Sequence, residues 1–226
     1  MSSARKANGL FAEKPPRRLD KNRAWQTLIS MRIFFGLLLL VASASADPVF
    51  SELSPTQVAA LEKGDVVVRS EEVPGGVWPR IIAYVRIKAT VDAVERVFRD
   101  YASASAFIPG LRKAEVLKRP DPDTYDVRYT NTMPVVGDTQ STVRNRYSRQ
   151  GNALIMRWDL IESAHAEEST GELRVEPLDR LQGSIMRYVN YVRPKLSIAR
   201  LAAGAAANEV KKTVLALKKE SERRSD

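Results

Sequence analysis

Apolar residues in the segment 77–192 recur mostly at every second position, in short runs broken by turn residues, and that alternation predicts a sheet. The run Val77 to Lys88 predicts a long strand with Ile81, Ala83, Val85 and Ile87 on one face. The period then changes to that of a helix: Thr90 is a capping residue, Asp92 sits in the first turn, and Val91, Val94, Val97 and Phe98 form an apolar stripe. A short helix or turn follows through Tyr101–Phe107 and stops at Pro109-Gly110. Six further strands are predicted over Arg112–Lys118, Tyr125–Thr132, Thr139–Ser148, Ala153–Ile161, Ser169–Pro177 and Ser184–Val192. Their separators are Pro120-Asp121-Pro122-Asp123, Val136-Gly137-Asp138, Gly151-Asn152 and Asp179-Arg180. Connections this short imply an antiparallel meander.

Upstream, Ser54-Pro55 opens a helix carrying Val58 and Leu61 and ending at Gly64, before a strand over Asp65–Arg69 and a Pro74-Gly75-Gly76 turn. After Pro194 a helical pattern returns. Leu196, Ala199, Ala203, Ala207, Val210, Val214 and Leu217 share one face, rich in small residues, and a charged end follows.

Residues 31–46 form a separate unit. A basic flank at Arg32, an apolar run from Ile33 to Ala42 and small residues ending in Ala44-Ser45-Ala46 have the layout of a signal peptide cleaved after Ala46. The run is too short for a comfortable membrane span, which takes roughly 20 apolar residues. Residues 1–30 are a basic leader, either an extended n-region or a start placed too early, with Met31 the true first residue. The division expected is leader 1–30, signal peptide 31–46 and one domain over 47–226, exported, with a bacterial periplasm as its location.

This changes the meaning of the charge. The chain carries a formal net charge of +9, of which +6 lies in residues 1–46 and only +3 in the remainder. A mildly basic domain gives no reason for a nucleic-acid partner, and transient contact with anionic membrane surfaces is the most its C-terminal basic residues call for. The chain has no cysteine, which excludes disulfides, thiolate catalysis and cysteine-based zinc sites. No cofactor and no metal site are expected.

The order of elements, with Ile87-Lys88-Ala89-Thr90-Val91-Asp92-Ala93-Val94-Glu95-Arg96-Val97-Phe98-Arg99-Asp100-Tyr101 followed by Phe107-Ile108-Pro109-Gly110, resembles the helix-grip superfamily called SRPBCC. That superfamily includes START-type lipid-transfer domains, birch-pollen-allergen-like proteins and bacterial polyketide cyclase/dehydrase-like proteins. The resemblance covers Leu53 to about Ser221. It implies an α+β fold in which a curved antiparallel sheet wraps around a long C-terminal helix, with two short helices after the first long strand. It also implies a cavity for an apolar ligand between sheet and helix.

Catalytic motifs are weak. His165 is the single histidine and falls in a polar connection between strands. There is no nucleophile elbow and no phosphate-binding glycine loop. Glu71-Glu72 and Glu167-Glu168 are adjacent pairs, which on a regular strand point to opposite faces.

The stronger candidates lie on the sheet. Alternation places Tyr125, Val127, Tyr129 and Asn131 on one face of their strand, Val143, Asn145 and Tyr147 on the next, and Leu154, Met156, Trp158 and Leu160 on the third. Gly171, Leu173 and Val175 follow on the fourth. The last strand is open between Ile185/Arg187/Val189/Tyr191 and Met186/Tyr188/Asn190/Val192 as its inward set. Candidate ligand-lining residues are Tyr101, Phe107, Tyr125, Tyr129, Asn131, Asn145, Tyr147, Leu154, Met156, Trp158, Leu173, Met186, Tyr188, Ala203 and Ala207. The loops Asn131–Gly137 and Phe107–Leu111 are apolar enough to frame a cavity mouth.

Three functions fit this pattern. One is an exported binding or transfer protein for a hydrophobic small molecule such as a lipid, sterol or hopanoid, quinone or polyketide. A cyclase- or hydrolase-type enzyme would use the same cavity and need an inward ionisable group, with Arg187 or Asp159 the nearest candidates. A protein-interaction module would have a filled core instead.

Overall fold

A computed structural model of the chain describes residues 49–133, 137–178, 182–195 and 199–225. Eight strands make a single sheet: β1 (Val66–Glu71), β2 (Arg80–Ile87), β3 (Leu111–Asp121), β4 (Thr124–Met133), β5 (Gly137–Gln150), β6 (Ala153–Ser163), β7 (Ala166–Pro177) and β8 (Ser184–Pro194). Their order across the sheet is β1-β2-β8-β7-β6-β5-β4-β3, with every pair antiparallel. From β3 to β8 this is the expected meander, and β8 then returns beside β2.

Among the described residues three α-helices accompany it: α1 (Pro55–Glu62), α2 (Val91–Arg99) and α3 (Ala199–Arg223). Each short helix starts where a side chain satisfies a free backbone N–H. The Ser54 hydroxyl accepts from Gln57 N while the Gln57 side chain accepts from Ser54 N, a reciprocal cap. The Thr90 hydroxyl accepts from Ala93 N at 3.2 Å. The predicted second short helix is a single 3-10 turn, Ala104–Ala106.

Both layers against the sheet are legible in the burial. On the inner face Ile81, Ala83, Val85, Ile87, Leu154, Met156, Leu173, Val175 and Met186 pack with Val94 and Val97 of α2 and Val210, Val214 and Leu217 of α3. The outer face has a smaller core of its own: Val49, Leu61, Ile82, Tyr84, Leu178 and Ile185. A 3-10 turn at Phe50–Glu52 lies on this side. The Glu52 carboxylate accepts from the Tyr84 hydroxyl at 2.6 Å and from Arg187 Nε at 2.9 Å.

Two expectations need correction, and one open alternative is decided by the register. β3 continues through Pro120 to Asp121, because β3 is an edge strand and a missing N–H costs an edge little. Arg187 lies on the outer face, since the register Tyr84↔Arg187 and Leu173↔Tyr188 turns Met186 and Tyr188 inward. Glu167 and Glu168 do not diverge: an irregularity between Ala166 and Glu168 lets both carboxylates reach Arg193, at 3.4 and 3.7 Å. The leader, the signal peptide, the Pro134–Val136 loop tip and the Asp179-Arg180 turn lie outside the described residues.

Candidate functional site

The sheet register sets out the inner face in rows. Leu154, Val175, Met186 and Val85 occupy one row, and all four are buried under the helices. The next row is Tyr147, Met156, Leu173 and Tyr188, and beyond it comes Asn145, Trp158, Gly171 and Asn190. Burial declines along this direction. Tyr129, Asn131, Leu160, Tyr188 and Asn190 are only half-buried although all face the interior. The sheet is therefore sealed at the α2 end and looser towards Asn131 and Asn190.

Polar groups at the sealed end form one hydrogen-bonded chain. The Tyr147 hydroxyl donates to the Phe98 carbonyl at 3.1 Å, one of the carbonyls that the last turn of α2 leaves free. The Tyr101 and Tyr147 hydroxyls are 2.7 Å apart. Asn145, only 2% exposed, donates from Nδ2 to the Tyr101 hydroxyl at 3.2 Å and to the Tyr129 hydroxyl at 2.9 Å. A buried amide left unpaired is costly, and this one has two phenol oxygens to serve.

Burial pushes the Tyr101 hydroxyl up to about 12, and raises Tyr129 and Tyr147 as well, so all three stay neutral in ordinary conditions. Tyr188, pushed up to about 12 by burial alone, has no hydroxyl partner among the described residues.

Aromatic rings wall the chain. Tyr125 meets Tyr147 edge-on at 5.8 Å and Tyr101 at 5.5 Å. The Arg99 guanidinium lies 4.1 Å from the Tyr147 ring centroid and is held by Glu95 and Asp123 at 2.8 and 2.7 Å. Trp158 stacks at a tilt on Tyr188, 5.2 Å between centroids.

The candidate residues thus divide. Tyr101, Tyr129, Asn145 and Tyr147 are joined in one network, with Tyr125 against it. Leu154, Met156, Leu173 and Met186 are packed core. Trp158 and Tyr188 pair at the looser end, and Asn131 shares that face without a side-chain hydrogen bond among the described residues. Phe107 folds back on the core, with Arg224 5.9 Å from its ring, instead of standing out at a mouth. Ala207 packs against the core from α3, while the Ala203 side chain lies outside the described part. Arg99 and Asn190 join the site. Asn190 follows from Met186 and Tyr188 by alternation, whereas nothing in the sequence marks Arg99.

Other features stand apart. Asp159 faces outward and pairs with Arg146. His165 sits in the β6–β7 turn, where its backbone N donates to Ser163 Oγ. A surface depression of about 450 Å³ is lined by Arg146, Arg157, Asp159 and Thr170 together with Tyr147, Trp158 and Gly171, and one of about 290 Å³ by Leu160, Ile161, Ser163, Glu167 and Lys195 at the β6–β7 end. Among the described residues no group of histidine and carboxylates is placed to hold a metal.

Known structures share this architecture. A STAR-related lipid transfer protein from Xanthomonas axonopodis superposes with a TM-score of 0.63 at 19% identity, covering 69% of this chain and 93% of that one. The Zhui aromatase/cyclase from Streptomyces gives 0.57 at 16%, covering 71% and 97%. Human StAR-related lipid transfer protein 5 gives 0.63 at 7%, covering 72% and 84%. At these identities the likeness establishes the fold alone. Among curated protein sequences none matches significantly. A family model described as polyketide cyclase / dehydrase and lipid transport matches residues 79–222, from the start of β2 to the end of α3. With that match over most of its length, the chain belongs to the polyketide cyclase/dehydrase and lipid-transport family and has the helix-grip fold of the START-like proteins.

Proposed function

We propose that this protein is an exported carrier for a hydrophobic small molecule, held between the inner face of the sheet and the C-terminal helix. The observation that carries the reading is the change in burial along the inner face. Aliphatic rows close completely near α2, while Tyr129, Asn131, Tyr188 and Asn190 stay half-buried where Trp158 lies across the sheet. In sequence, α3 begins Ala-Arg-Leu-Ala-Ala-Gly-Ala, and small side chains on a helix that faces a sheet would leave volume for a guest. Relatives named for lipid transfer share the fold and make a lipid a reasonable guest.

The energetics suit a carrier. Each Å² of apolar guest removed from water contributes roughly 25 cal/mol, so binding requires no chemistry beyond desolvation. An enzyme would need an inward acid or base, and Asp159 and Arg187 both occupy the outer face. Export rests on the pattern of residues 31–46, with the periplasm as the destination. Among the described residues no helix is long and apolar enough to cross a membrane.

The test is to produce the chain in a bacterial host, purify it without detergent, and compare native and denatured masses. A stoichiometric extra mass that extracts into organic solvent supports the carrier. Protein without extra mass, unchanged after incubation with host membrane lipid, counts against it.

A further inference from the structure

The direction of the buried hydrogen-bond chain is fixed at one end and has a consequence at the other. A carbonyl only accepts, so the single proton of the Tyr147 hydroxyl is committed to Phe98 O. The 2.7 Å contact between Tyr101 and Tyr147 then requires the Tyr101 proton. Tyr101 can in turn only accept from Asn145, whose second amide proton goes to Tyr129. Turning the Asn145 amide round would give Tyr147 two acceptors for one proton, so the network itself selects the orientation. Every proton is assigned except that of the Tyr129 hydroxyl. It finds no acceptor among the described residues.

Tyr129 lies on the inner face of β4, on the looser side of the network. Beyond the network the inward side chains of β4 to β8 carry no formal charge at this end: Asn131, Val143, Trp158, Leu160, Tyr188 and Asn190. The cations near the sealed end, Arg99 and Arg149, are both committed to carboxylates.

Building on the carrier reading, we infer that the Tyr129 hydroxyl is a ligand-binding donor, selecting an apolar molecule that presents a neutral oxygen acceptor, such as a ketone, ester or quinone carbonyl. A hydrocarbon leaves this proton unpaired. A carboxylate brings a charge that no free cation among the described residues of this face balances. The donor's direction is set by the Phe98 carbonyl at the end of α2, four hydrogen bonds away.

The experiment uses three probes with the same tricyclic carbon frame: fluorene, fluorenone and fluorenecarboxylate. Their binding to the full chain is measured by calorimetry and by quenching of tryptophan fluorescence. Fluorenone is expected to bind about 3- to 10-fold more tightly than fluorene, the range of one hydrogen bond, with the carboxylate weakest. Tyr129→Phe removes the preference for fluorenone over fluorene. The carbonyl stretch of bound fluorenone shifts to lower frequency in the unmodified protein and not in Tyr129→Phe, so the result does not depend on comparing stabilities. Equal affinity for fluorene and fluorenone overturns this inference and leaves the carrier reading standing, as does a preference for the carboxylate. If none of the three binds, the carrier reading fails and this inference with it.

Discussion

Trp158 lies opposite Gly171 in the sheet, and a Cβ built on Gly171 would fall 2.0 Å from Trp158 Cζ2. The glycine is there for the indole. With no side chain on β7 at that point, Trp158 reaches across to stack on Tyr188 of β8. The same imaginary Cβ would sit 2.2 Å from the Val189 carbonyl, so moving the indole alone does not relieve the crowding.

Gly171→Ala is therefore expected to destabilise the fold by about 3 kcal/mol, at the upper end for overpacking, and to displace Trp158 from Tyr188. Urea unfolding gives the first quantity. The tryptophan emission of the folded variant reports the second.

Tyr147→Phe removes the donor to Phe98 O and the acceptor of Tyr101 in one change. The expected loss is about 2 kcal/mol, because two buried polar groups lose their partners while the ring packing is kept. Tyr125→Phe is the matched control: its hydroxyl meets only Arg99 and the Pro122 carbonyl near the surface, and the expected loss is under about 1 kcal/mol. Denaturant midpoints at equal slope distinguish the two.

Acid should loosen the end of α3. Arg223 and Arg224 hold the Glu220 carboxyl down at about 2, and Arg224 also bonds Asp100 at 2.7 Å beside α2. A carboxyl whose folded pKa lies below its unfolded value of 4.5 stabilises the fold above pH 4.5, and the contribution disappears as pH falls towards 2. Unfolding free energy should decline over that window. In Glu220→Gln the decline should be shallower, measured by denaturant titration at each pH.

How much of this was legible in the chain depends on what each element touches. On β4, β5, β6 and β7 the inward residues could be read from alternation, because one face meets the main core and the other is more polar. β8 was ambiguous for a physical reason: Ser184, Ile185 and Met186 are all buried, since α3 covers one face and the Val49–Leu61 layer the other. Alternation carries no information where both faces are dry. That outer layer was itself not foreseen.

The polar network shows the other limit. The inward direction of Asn145 followed from its strand, but its partners Tyr101 and Tyr129 lie 44 and 16 residues away, and Tyr101 meets Tyr147 across 46. No local pattern encodes such pairings. Tyr147 and Tyr101 read as two more aromatics on an apolar surface until α2 brings the Phe98 carbonyl against them. The Phe107 turn could by its composition frame a mouth or fold back, and Phe107 packs on the core, as an apolar loop next to a core has somewhere better to go than solvent.

The most direct test of the carrier account is native mass spectrometry of the protein beside Ala207→Trp. Ala207 packs on the core from α3, and an indole there occupies the space assigned to the guest. The account predicts an extractable, stoichiometric ligand mass on the original protein, its loss in Ala207→Trp, and the same fold by circular dichroism. A ligand mass retained in the variant at full stoichiometry, or absent from both proteins, would contradict it.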